Sequence, residues 1–137
     1  MDWKLILRLS LFGLAMAVAT VSLIPPSFEP YCWLAIFVVC AFFIARSRAG
    51  KLFLHGFFVS IFNCVWVTSA HILFATTYLA HHPGEAEMMN SMPVTPALMM
   101  AMTGPVVGVL SGLVLGLFAF VAGKFVKPGS PRAPSVR

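Results

Sequence analysis

Charge is what this chain has least of: 9% of its 137 residues are charged and only four are acidic, against about 25% charged in an ordinary soluble domain. A soluble fold of this size hides only about two-thirds of its unfolded surface. It has no place for a composition that is 60% hydrophobic, so the surplus must face lipid rather than water. Catalytic signatures are missing as well. The chain has no phosphate-binding glycine loop, no nucleophile with a base at helical spacing, no paired acid and base and no recognised metal motif, so neither an enzyme nor a bound cofactor is expected. It has no internal repeat and no C-terminal lipidation signal. The three cysteines, Cys32, Cys40 and Cys64, form no CxxC pair. Their odd number excludes a fully paired framework, and buried free thiols are expected.

What the chain has in abundance is long apolar runs. They cover residues 5–24, 31–45, 52–80 and 97–126, and a bilayer span takes about 20 such residues. The sequence therefore predicts an all-α integral membrane four-helix bundle forming one transmembrane domain over 1–126, with helices at about 5–24, 31–46, 52–80 and 96–126. The second run rises only about 22 Å. Tyr31 and Trp33 suit one interface, and a snorkelling Arg46 extends its reach at the other. The third run would be a helix of about 43 Å, which must tilt or protrude.

The nine basic residues orient the bundle. Lys4 and Arg8 open the first run; Arg46, Arg48 and Lys51 join the second to the third; Lys124, Lys127, Arg132 and Arg137 lie at the end. The opposite loops hold Glu29, Glu85 and Glu87 and no Lys or Arg. By the positive-inside rule both termini are expected in the cytoplasm, with the chain multi-pass in a cell membrane. Topology and anionic lipid then account for the net charge of +5, and no nucleic-acid partner is called for. The first run resembles a signal sequence around Ala15, Ala17 and Ala19, but it stays apolar to Ile24 before Pro25 and Pro26, so an uncleaved anchor is expected. Residues 127–137, rich in proline and basic side chains, are expected to form a disordered cytoplasmic tail.

Three groups of residues could carry function. Gly104, Gly108, Gly112 and Gly116 recur every four residues on the fourth run, and Gly123 continues the face. Glycine in a helix costs up to about 1 kcal/mol relative to alanine, so this ridge implies a closely packed neighbour rather than a pore lining. The neighbour is either the first helix, which offers Gly13 and Ala17, or another subunit. Pro105 within the run predicts a kink, and Thr95 followed by Pro96 predicts a capped start. On the third run a 100° step brings Gly56, Ser60, Asn63, Cys64, His71 and Tyr78 onto one inward face. Ser60, Asn63, His71 and Tyr78 are candidates for a solute pathway, with interhelical hydrogen bonding the plainer reading. His55 falls off this stripe near the basic turn and is expected at the interface. Near the opposite end, His81, His82, Met88, Met89 and Met92 are candidate ligands for a soft ion such as Cu(I), though their spacing matches no defined site and methionine also serves as an adaptable apolar filler.

The order of these parts is a short Arg- and Gly-containing turn, a long third helix, a polar loop, and a glycine-rich last helix from Thr103, Gly104 and Pro105 to Lys124. Over residues 4–127 this layout resembles small four-span bacterial inner-membrane proteins. The resemblance implies a bacterial inner-membrane location and lends no catalytic or binding residue. The function expected from sequence is a small interaction subunit that binds a copy of itself or a membrane partner through the glycine ridge. The alternative is a small transporter or channel, with a metal ion such as copper among its candidate cargoes.

Overall fold

The computed structural model describes residues 1–47 and 50–127; within the expected tail, 127–137, only Lys127 is among them. Six helices follow one another: α1 (Trp3–Ser22), α2 (Glu29–Arg46), α3 (Leu52–Leu73), α4 (Ala75–His81), α5 (Pro83–Asn90) and α6 (Pro96–Phe125). No strand occurs among the described residues. Four of the helices, α1, α2, α3 and α6, are long and apolar enough to cross a membrane.

Local chemistry sets their ends. The Asp2 carboxylate accepts from the Leu5 N–H at 3.0 Å and caps α1, and Thr95 caps α6 in front of Pro96 by accepting from the Leu98 N–H at 3.4 Å. Lys51, in the left-handed region at φ 61°, turns the chain into α3. Helix α6 runs unbroken through Pro105.

The apolar run at 52–80 is not one helix. It divides at Phe74, giving the 22 residues of α3 and the seven of α4. Twenty-two residues rise about 33 Å, close to the roughly 30 Å of a hydrocarbon core. Phe74 is neither glycine nor proline, and the turn keeps the Phe74 N–H on the Ala70 carbonyl at 2.9 Å.

Helices α3 and α6 form the central antiparallel pair, with α1 against α3 and α2 against α6. The start of α1, the start of α3 and the end of α6 lie at one end, where Asp2 meets His55 and Gly123 meets Leu52. A core of Ile6, Leu9, Cys40, Ile44, Val59 and Leu115 fills this half from all four long helices. At the other end a smaller cluster of Tyr78, Met89 and Met100 packs α4, α5 and α6 together. Cys32, Cys40 and Cys64 are free thiols.

Candidate functional site

The glycine ridge of α6 lies against α3 of the same chain. A Cβ on Gly108 would come 2.7 Å from Cβ of Cys64, one on Gly112 2.9 Å from the Phe57 ring, and one on Gly116 2.8 Å from the Phe53 ring. Gly104 meets Thr68 and Gly123 meets Leu52. From the other side of the contact, a Cβ on Gly56 would lie 2.6 Å from the Leu115 carbonyl oxygen, a backbone atom. The ridge therefore packs against α3 of the same chain and not against the first helix. Gly13 of α1 fits against a different residue, Asn63 of α3.

Toward the end that carries α4 and α5, a cavity of about 590 Å³ opens between α2, α3 and α6. That is within the range of small-molecule sites, roughly 300–1,000 Å³. Its walls are mostly apolar, with Trp33 and Phe37 from α2, Val67 from α3, and Met100, Val107 and Phe118 from α6. Ser60, Asn63, His71 and Tyr78 all reach it, together with Cys64 and Thr68. The spacing of these polar residues on one face of α3 and α4 is thus turned to a single space. Sequence reasoning missed Ser111 and Thr103 of α6 and the carboxylates Glu29 and Glu85, which also line it. Thr103 directly precedes Gly104 and Ser111 directly precedes Gly112, and that place beside the small-residue face was the signal that could have found them.

The upper wall is an aromatic stack. The Tyr78 ring lies 3.9 Å from that of His71, at 25° between planes, and 4.1 Å from that of His82, at 20°. The break at Phe74 is what lets α4 set Tyr78 over a side chain of α3. The phenol donates to Glu85 Oε2 of α5 at 2.6 Å. Burial, with this bond second, pushes the Tyr78 phenol above the ordinary tyrosine range. His71 reaches the other way, with Nε2 3.0 Å from Thr20 Oγ1 of α1.

The candidate soft-metal ligands differ in exposure. Met89 is buried beside Tyr78 and Met100, whereas Met88 and Met92 are about half exposed. Successive residues of α5 point about 100° apart, which separates Met88 from Met89. His81 is exposed with Nδ1 on the Thr77 carbonyl, and His82 is buried with Nδ1 on the Tyr78 carbonyl, both at 2.9 Å. Among the described residues no group of three or more His, Cys, Asp or Glu is placed to hold a metal ion. His55, expected at the interface near the basic turn, lies at the end of the bundle where α1 and α3 begin. It is fully buried, its Nδ1 3.1 Å from the Lys51 carbonyl and its Nε2 accepting from the Asp2 N–H at 2.9 Å.

Comparison with family models, with curated proteins and with solved structures finds no match to this chain.

Proposed function

We propose that this is a multi-pass protein of a bacterial inner membrane, both termini in the cytoplasm, that binds a small amphipathic molecule in the cavity between α2, α3 and α6 and carries it within or across the bilayer. The observation that carries the reading is the convergence of Ser60, Asn63, His71 and Tyr78 on one cavity of ligand size. Polar side chains that serve only to join helices need no such space beside them. The ridge of α6 packs against α3 in the same chain.

The test uses a protein with Trp3→Phe and Trp66→Phe, which leaves Trp33 as the single indole. Titration with a bromoalkyl alcohol in lipid nanodiscs should quench Trp33 saturably, and Val107→Phe, which narrows the cavity, should remove the saturable part. Quenching that rises linearly and ignores Val107→Phe would contradict the reading.

Association with a membrane partner is a second reading, and it rests on a different surface. Between α2 and α6 an apolar groove lined by Val38, Ala41, Phe42, Leu117, Val121 and Val126 faces outward, and its almost purely apolar lining suits either lipid tails or another helix. Crosslinking between cysteines placed at Val38 and Val121 of separate copies would favour it over lipid.

A further inference from the structure

All but one of the side-chain protons around the cavity are already committed to oxygen acceptors, which narrows the class of molecule that the proposed function, on which this inference rests, can admit. Thr20 Oγ1 donates to the Met16 carbonyl at 2.9 Å. With that proton engaged, its contact with His71 at 3.0 Å requires His71 Nε2 to be the donor. A neutral His71 then carries a bare lone pair on Nδ1, which has no partner among the described residues, on a side chain that lines the cavity.

The same holds around the wall. Ser111 donates to the Val107 carbonyl at 2.6 Å, so in the 2.8 Å contact between the two serines Ser60 is the donor. Cys64 donates to the Gly104 carbonyl at 2.9 Å, and Thr103 to the Met99 carbonyl at 2.9 Å. Turned to satisfy both of its hydrogens, the Asn63 amide donates to the Ser10 and Val59 carbonyls at 3.2 and 3.3 Å. At the mouth, Trp33 Nε1 donates to Glu29 at 3.1 Å and Tyr78 to Glu85 at 2.6 Å. Only the Thr68 proton is held by no oxygen, and it faces Cys64 Sγ at 3.7 Å. What these side chains leave open is lone pairs, two carboxylates and aromatic faces, and among the described residues no Lys or Arg lines the space.

We infer that the cavity takes a lipophilic amine in its protonated form. A head that brings its own N–H donors and a positive charge satisfies acceptors that a carboxylate, phosphate or ether head would leave unpaired. Glu29 and Glu85 attract the cation, Trp33 and Phe118 are the aromatic side chains lining the same space, and the apolar wall holds its chain.

The experiment compares four probes on the Trp33-only protein in nanodiscs. All share one bromoalkyl chain, ending in a primary ammonium, a trimethylammonium, a hydroxyl or a carboxylate. The quenching that survives Val107→Phe is subtracted as bilayer partition. The primary ammonium should bind at least tenfold more tightly than the alcohol and the trimethylammonium, with no saturable binding of the carboxylate. Glu29→Gln combined with Glu85→Gln should shrink the ammonium-to-alcohol ratio at least fivefold. Equal affinities for the ammonium and the alcohol, equal affinities for the two cations, or tighter binding of the carboxylate would overturn the amine inference and leave the cavity-binding reading standing. If no probe saturates, the cavity-binding reading falls and the inference falls with it.

Discussion

Cα of Asn63 lies 2.7 Å from the point where a Cβ on Gly13 would sit, so helices α1 and α3 meet at a distance that only glycine permits. The close approach also brings the Asn63 amide within reach of the Ser10 carbonyl on α1. Because the obstacle is backbone, a substituted Gly13 can be accommodated only by moving one helix away from the other. Gly13→Ala should lower stability by about 1–3 kcal/mol. Gly84→Ala, with nothing within 4 Å of the added methyl, should be close to neutral. Thermal melts followed by circular dichroism in detergent would check the pair, and similar midpoints for the two variants would contradict the packing described.

The α3–α6 pair makes a graded prediction. A Cβ on Gly56 would strike the carbonyl group of Leu115 and Cα of Gly116, all within 2.9 Å, whereas one on Gly123 would meet the far end of the Leu52 side chain, which can rotate aside. Gly56→Ala should therefore cost about 1–3 kcal/mol and Gly123→Ala well under half of that. The same melts rank them; a larger loss for Gly123→Ala would contradict the register of the two helices.

Histidine tautomers test the hydrogen-bond directions on which the cavity's chemistry depends. His71 should be the Nε2–H form, and His55 and His82 the Nδ1–H form, each donating to the carbonyl four residues earlier. Nitrogen-15 spectra of histidine-labelled protein at neutral pH report this directly. Thr20→Val removes the His71 acceptor and should cost about 1 kcal/mol while shifting the His71 signals alone. A His71 found as Nδ1–H in the unsubstituted protein would contradict the lone pair assigned to the cavity.

Much of the architecture was readable because composition alone forces it: four apolar runs between polar connections have few ways to be satisfied other than as membrane-length helices. The inward stripe from Gly56 to His71 was readable too, since periodicity within one helix does not depend on the neighbours. The partner of the glycine ridge was not, because small residues announce a close approach without saying which helix makes it. Nor was the break at Phe74, where no glycine or proline marks the turn and the stacking of Tyr78 on His71 is a tertiary contact. The burial of His55 was not readable for a similar reason: it depends on the Asp2 N–H folding onto the ring from 53 residues away. Glu29 and Glu85 looked like loop charges, and only the packing of α2 and α5 brings them to the cavity's mouth.

Tyr78 makes a prediction about pH. Its folded-state pKa is raised, so the folded form keeps the phenol proton at a pH where the unfolded chain, near the ordinary value of about 10, loses it. This contribution to stability is full below about pH 10 and declines as pH rises through and beyond that value. Tyr31→Phe leaves Tyr78 as the remaining tyrosine of the two. In that protein phenolate absorbance should stay absent above pH 10 until the chain unfolds. Ordinary titration in the folded protein would contradict the buried stack.

The most direct test of the ligand cavity is photoaffinity labelling in membranes with an alkylamine bearing a diazirine on its chain, read by mass spectrometry. Adducts are expected on residues facing the cavity, chiefly Trp33, Met89, Met100 and Phe118, and an excess of unlabelled alkylamine should reduce them. Adducts confined to outward-facing residues such as Leu110 and Phe125, unchanged by the competitor, would contradict a binding cavity between α2, α3 and α6.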